Sequence, residues 1–360
     1  MPRDVLNVFG EEIYEQSIYR YVAPTSQACH GGDFPCCRRG ASIAADFART
    51  SCMMMRMAPP LRLHIPQRLA ASLLFACLLV ARGESHARPL TLQGYMQMRG
   101  PPADERIAYG QAPAQFLEYF RPSGRGPFPV VVIIHGGCWL HEFGGLRQVA
   151  SMAREFARKG FAVYSIEYRG IDQAGGGYPG TYDDIASALD SISKLQKRDD
   201  LDLGRIVGVG HSAGAQLILW AAGRNRMPND SPLFDAHPVM LHAVIGLGAL
   251  PDLGNRPAIQ NACGIAPEAL YGGSQRADAL RDTSPAAMLP LDTHRIVLIN
   301  GSLDTVSPPE AVTGFSKAAK QRGNTVKVIE VPAASHYDEV STSSPVWHPL
   351  LQAVQDSASE

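Results

Sequence analysis

Apolar positions in the body of the chain switch repeatedly between two periods. Residues 115–120 alternate and read as a half-buried strand. Residues 130–134 are a continuous β-branched run, as expected for a strand covered on both faces. Residues 149–158 have helical spacing and stop at Gly160. Strand 161–166 follows, then a helix over 182–195 with Ile185, Leu189 and Ile192 on one face. Strand 205–209 leads through a sharp turn into a helix over 215–222. Strands at 243–247, 295–299 and 326–331, a helix over 309–321 and a closing helix from 349 to 354 complete the pattern. The alternation predicts a largely parallel sheet wrapped by helices, without internal repeats. Residues 250–290 break the rhythm; rich in Pro, Gly and Asn, they read as an excursion over the active-site end.

Composition changes this picture little. The chain has 360 residues, 45% apolar and 19% charged, with a formal net charge of -1. That is enough material for a substantial core, and no basic excess points to nucleic acid. Seven cysteines are spread unevenly, four of them at 29, 36, 37 and 52, and no pair has the spacing of a zinc site. His30 with Cys36 and Cys37 is only a thin metal signal.

The N-terminal part has a different texture. A short basic stretch, 62–68, precedes an apolar run, 69–81, and then Ser85-His86-Ala87 supplies a small-x-small cleavage pattern. This is the order of a secretory signal peptide, and the run is too short for a comfortable membrane span. Cys77 raises the alternative of a lipid-attachment site, against which Phe75 is bulky and the following residues stay apolar. The signal sits far from residue 1, with Met53, Met54, Met55 and Met57 just upstream. The expected organisation is 1–54 as a non-native or disordered extension, with translation starting at Met55 or Met57. Residues 55–87 follow as the signal peptide and 88–360 as a single catalytic domain. N-terminal sequencing of the native precursor checks this, and a peptide recovered from residues 1–50 contradicts it.

The candidate chemistry lies at four strand ends, where parallel α/β sheets place their sites. Gly210-His211-Ser212-Ala213-Gly214 joins strand to helix with a serine at the apex. Such a turn is strained at the serine and needs small residues two positions to either side. His135-Gly136-Gly137-Cys138-Trp139 follows the buried strand 130–134, and its glycines allow backbone amides to turn toward a ligand. Asp304 lies beyond strand 295–299, and His336 beyond strand 326–331. A serine at neutral pH is a poor nucleophile; it needs an imidazole to take its proton and a carboxylate to fix that imidazole. Ser212, Asp304 and His336 are the candidates, in the chain order Ser, Asp, His. The amides of Gly136, Gly137 and Ala213 are the candidate oxyanion hole. The bland alternatives are Ser212 as a helix cap, Asp304 as a turn residue with Asp292 as the acid, and His336 as a loop histidine with His348 in its place. Cys138 as a nucleophile has no implied base. His135 reads as a loop organiser, His211 as a packing residue below the turn, and Asp183-Asp184 as acids at a helix N-terminus.

With these residues together, the stretch 105–358 resembles the α/β-hydrolase superfamily, in the esterase branch that includes kynurenine formamidase-like and feruloyl/acetyl esterase-like enzymes. Tyr109-Gly110 before the first strand, the 135–139 turn, the 210–215 turn, the Asp304 loop and His336 carry the resemblance. Cys138 departs from it, because formamidase-like members often have an aromatic residue there. The resemblance implies an eight-stranded-type, mostly parallel sheet. It also implies a serine esterase acting on a small-molecule ester through an acyl-enzyme, with no cofactor and no metal. The expected protein is secreted or periplasmic, binds no nucleic acid and has no stable membrane span after signal cleavage. The rival readings are an arylformamidase or amidase, a prolyl-oligopeptidase-like exopeptidase and a non-catalytic binding module.

Overall fold

In the computed structural model, residues 88–359 are described, apart from 274, 275 and 277. The expectations for 1–54 and 55–87, Cys77 and the 85–87 cleavage pattern among them, lie outside the described residues. Eight strands form one sheet in the order β1-β2-β4-β3-β5-β6-β7-β8. They are β1 (Glu105–Ala108), β2 (Phe116–Phe120), β3 (Phe128–Ile134), β4 (Ala162–Ile166), β5 (Leu201–His211), β6 (Ala243–Leu247), β7 (Arg295–Gly301) and β8 (Val326–Val331). The pairs β1–β2 and β2–β4 are antiparallel, and all others are parallel.

The β-branched run in β3 is buried throughout because each face meets its own core. Val130, Val132 and Ile134 point to one side, Val131 and Ile133 to the other. On the first side lie α3 (Gly180–Lys194), α5 (Ala213–Ala221) and α8 (Pro309–Gln321), which bury Ile185, Leu189, Leu217, Val312 and Phe315. On the second lie α2 (Leu146–Arg158) and α9 (Trp347–Ser359), with Val149, Met152 and Phe156, and Leu350 and Val354, at the usual three-to-four-residue spacing. Tyr95 of the short α1 (Leu92–Gln97) joins this second core. Between α3 and β5 the chain makes a single turn, α4 (Gln196–Asp199).

Several boundaries differ from the sequence reading, each for a local reason. β1 is a four-residue edge strand in which half-buried and exposed positions alternate and none is buried, so its apolar signal is weak; Tyr109-Gly110 therefore follows the first strand instead of preceding it. Helix α2 starts at Leu146, because the Gln148 side chain accepts a hydrogen bond from Gly145 N (3.0 Å) and closes the first turn earlier. β5 begins at Leu201, since its pairing with β3 shifts register between Pro129 and Val130 and absorbs extra residues. Helix α9 begins at Trp347, which places His348 within it. The excursion after β6 contains α6 (Arg256–Cys263), α7 (Glu268–Tyr271) and a 3-10 turn, Ala279–Asp282. Among the described residues, no helix is long and apolar enough to cross a membrane.

Candidate active site

Ser212 connects β5 to α5 with φ 54° and ψ -118°, a left-handed conformation that L-residues avoid. The turn is packed so closely that side chains on its flanks cannot fit. A Cβ on Gly210 would collide with the Gly214 carbonyl, and one on Gly214 with the carbonyl oxygens of Ile134 and His135. The strain is held by Ser212 N donating to Leu247 O (2.8 Å) and by the start of α5. The same close approach brings the 135–139 turn against the serine, since a Cβ on Gly136 would lie 3.1 Å from Ser212 Cβ.

That turn is fixed from three sides. His135 donates from Nδ1 to Gly136 O (2.7 Å) and from Nε2 to Glu167 Oε1 (2.9 Å). An imidazole whose two nitrogens both face acceptors needs both protons. Burial opposes the charge, yet the Glu167 charge and hydrogen bond outweigh it and raise the His135 pKa. Glu167 is likewise buried and held below the usual carboxyl range by His135. Tyr168 stacks on the His135 ring at 4.5 Å and donates to its carbonyl (3.1 Å). Trp139, fully buried, donates from Nε1 to Gln216 Oε1 on α5 (3.0 Å). Finally, Cys138 is joined to Cys263 at the end of α6 by a disulfide. Local sequence pointed to neither Glu167 nor this disulfide, and the bond leaves Cys138 no free thiol to act as a nucleophile.

Asp304 and His336 meet directly. His336 Nδ1 donates to Asp304 Oδ2 (2.8 Å), and Val306 N and Ser307 N donate to Asp304 Oδ1 (2.8 Å each). Proton placement on Nδ1 leaves the lone pair of His336 on Nε2. Asp292, the alternative acid, instead accepts from Asn225 Nδ2 (2.6 Å). The link from this pair to the serine turn runs through His211, whose Nε2 donates to His336 O (3.1 Å) and whose ring lies 4.7 Å from that of His336. Asp183 lies in the first turn of α3 as expected. Asp184 is buried instead, and its carboxylate accepts from Arg169 and from Gln115 Nε2.

Glu339, a buried acid in the turn after His336, carries no local sequence signal. Its Oε1 accepts from Gly301 N (2.9 Å), and its Oε2 lies 3.7 Å from His336 Nδ1 and 3.8 Å from His211 Nε2. His211, His336 and Glu339 thus bring metal-ligand atom types within 4.8 Å of one another. His211 Nε2 and His336 Nδ1 are already committed as hydrogen-bond donors, so the grouping has the chemistry of a proton network.

A family model described as BD-FAE matches residues 118–318, more than half of the chain. The chain belongs to the BD-FAE family. It is 25% identical over 239 residues to esterase LipC of Mycobacterium tuberculosis (strain ATCC 25618 / H37Rv), covering 64% of this chain and 59% of that protein. It is 24% identical over 258 residues to the probable isoprenylcysteine α-carbonyl methylesterase ICMEL1 of Arabidopsis thaliana, covering 68% of this chain and 53% of that one. The chain therefore spans somewhat over half the length of these curated relatives. Esterase B of Lactobacillus rhamnosis (HN001) superposes with a TM-score of 0.61 at 20% identity, covering 81% of this chain and 95% of that one. The fold is that of the α/β-hydrolases, as the resemblance implied.

Proposed function

We propose that this BD-FAE member hydrolyses carboxylic esters of small molecules through an acyl-enzyme. Ser212 is the nucleophile, His336 the general base and then acid, and Asp304 the group that fixes the imidazole. The amides of Gly136 or Gly137 and of Ala213 stabilise the negative charge that develops on the carbonyl oxygen. One observation carries the reading: a serine held at positive φ on a strand-to-helix turn, packed against Gly136, with a hydrogen-bonded His336–Asp304 pair joined to the same turn through His211. The names of the matched relatives, an esterase and a methylesterase, support ester hydrolysis.

In the reaction, His336 Nε2 takes the Ser212 hydroxyl proton as the oxygen attacks the ester carbon. The proton then goes to the leaving alcohol, whose C–O bond breaks. Water, deprotonated by the same nitrogen, releases the acid and restores Ser212. We also propose that the protein works outside the cytoplasm. The leader-like stretch 62–87 supports this, and so does the Cys138–Cys263 disulfide, a bond that persists in oxidising compartments.

The test is a substrate panel of short p-nitrophenyl esters, an arylformamide and aminoacyl anilides, run on the wild type and on Ser212→Ala. Ester turnover that the substitution abolishes is the expected result. Turnover that survives it removes Ser212 from the mechanism, and preference for the formamide or anilide moves the activity to amide bonds.

A further inference from the structure

Glu339 is 1% exposed and sits behind the Asp304–His336 pair, away from any solvent that could hydrate a charge. The groups that face it come from four elements. The end of β7 and the loop after it supply the Gly301 N–H and Asp304, and the acid's own turn supplies His336 and Asp338. His211 closes it off at the end of β5. The end of β6 contributes only Gly248, which packs so tightly that a Cβ there would collide with Glu339 Oε2 and lie 2.6 Å from His336 Nδ1.

The two carboxyls in this group are not equivalent. Asp304 accepts three hydrogen bonds, from Val306 N, Ser307 N and His336 Nδ1. Glu339 accepts one, from Gly301 N, and no donor is aimed at its Oε2. The nearby N–H groups of His211 and His336 point elsewhere. Two carboxylates sharing a dry site do not both ionise, and the charge settles on the one with more donors. That is Asp304. An orphaned Oε2 is satisfied once it carries a proton and has an acceptor, and the Asp304 carboxylate lies beside it: Glu339 Oε2 is 3.7 Å and Asp304 Oδ2 2.8 Å from the same His336 Nδ1.

We propose that Glu339 is a positioning residue for the Asp304–His336 pair, a neutral carboxylic acid whose Oε2–H donates to the Asp304 carboxylate. The inference rests on the triad reading above. Its consequence is a base that feels one negative charge instead of two, on a carboxylate held from three backbone and side-chain directions and a fourth from Glu339. The direction of the acid's own titration agrees. Burial first, and the Asp304 charge second, push the Glu339 carboxyl well above the usual range.

Three variants and one spectrum test this in the full chain. Glu339→Gln replaces the O–H donor by an N–H donor, so kcat/KM and the acid limb of its pH profile stay as in the wild type. Glu339→Leu removes the donor and leaves the Asp304 charge concentrated on His336; the acid limb moves up by about half a unit and kcat falls about tenfold. The infrared spectrum of the wild type near neutral pH carries a protonated-carboxyl stretch that Glu339→Gln lacks. An acid limb lowered by about one unit in Glu339→Gln, or no such stretch in the wild type, shows an ionised Glu339 and overturns the proposal. An unshifted limb in Glu339→Leu reduces the residue to packing and also overturns it. Should Glu339→Leu not fold, the spectrum and Glu339→Gln decide. Ser212→Ala is the third variant: turnover that survives it fails the triad reading alone, because the infrared band does not depend on turnover.

Discussion

His336 Nδ1 lies 2.8 Å from Asp304 Oδ2, and the opposite oxygen of that carboxylate is pinned by the amides of Val306 and Ser307. The carboxylate cannot turn away, so the imidazole proton stays on Nδ1 and the lone pair stays on Nε2. Asp304→Asn keeps the shape and presents an amide N–H where an acceptor is needed. The proton then moves to Nε2, the nitrogen that has to accept one from Ser212. We expect kcat on p-nitrophenyl acetate to fall by roughly 10⁴ while the thermal midpoint changes little. A loss below tenfold would assign the carboxylate role elsewhere.

The Cys138–Cys263 bond closes a long loop, with a sequence separation of 125 residues. It also ties the residue after Gly137 to the excursion that follows β6. Both φ values at Cys138 (54°) and Trp139 (57°) are left-handed, so this turn is held by its attachments and not by local preference. Reducing the bond, or replacing both cysteines by alanine, is expected to cost about 2–5 kcal/mol of stability. Because Gly136 and Gly137 belong to the same turn, kcat should fall more than KM rises. Denaturant unfolding and steady-state kinetics with and without reductant check both parts, and unchanged kinetics in the double alanine variant separate the bond from the proposed oxyanion hole.

Strong local signals explain what was legible in the sequence. Ser212 stands out because a strained turn requires glycines at 210 and 214, and β-branched runs such as 130–134 have few other uses. Asp304 and His336 are legible by their places past strand ends, and Gly136-Gly137 by the same logic. Glu339 is not, because nothing local distinguishes a buried acid from a solvated one; its burial is made by Gly248, His211 and Gly301, all distant in sequence. Glu167 is hidden in the same way, since His135 is 32 residues away. The disulfide joins a motif cysteine to one in the aperiodic excursion, a pairing that spacing does not reveal. β1 escapes notice because an edge strand of four residues, none of them buried and only Ile107 and Ala108 apolar, carries almost no signal.

The turn bearing His336 is also anchored to the start of the described chain. The Asp338 carboxylate accepts from Leu90 N and Ser335 N, and the one Ser335 hydroxyl proton lies between two acceptors, Leu90 O (2.7 Å) and Asp338 Oδ2 (2.9 Å). Removing the carboxylate leaves the part-buried N–H groups of Leu90 and Ser335 without this partner. Asp338→Ala is expected to cost about 1–3 kcal/mol and to lower kcat with little change in KM. Deleting the residues up to Arg99 should reproduce the kinetic effect, because it removes the Leu90 backbone that the turn grips. Wild-type kcat in both variants would show that the His336 turn holds its own shape.

His211 supplies the remaining test, through the dependence of stability on pH. It is fully buried and donates from Nε2 to His336 O, while its Nδ1 has no partner and faces Gly136. Burial first, and the neighbouring His336 second, depress its pKa well below the usual 6.5. A histidine depressed in the folded state is neutral there and binds a proton only on unfolding. Stability is therefore complete above the unfolded value and is lost as pH falls below it, by up to about 1.4 kcal/mol per unit for this one proton. His135 and Glu167 do not produce this slope. The raised His135 acts with the opposite sign, losing stability as pH rises above the unfolded value, and does so equally in wild type and variant; the depressed Glu167 loses its contribution only in stronger acid. His211→Gln keeps an N–H donor for His336 O and cannot titrate. Its unfolding free energy, measured in urea between about pH 7.5 and 5, should fall less steeply than that of the wild type by close to one proton. Equal slopes would mean that His211 is already charged in the fold and grips the His336 carbonyl as a cationic donor.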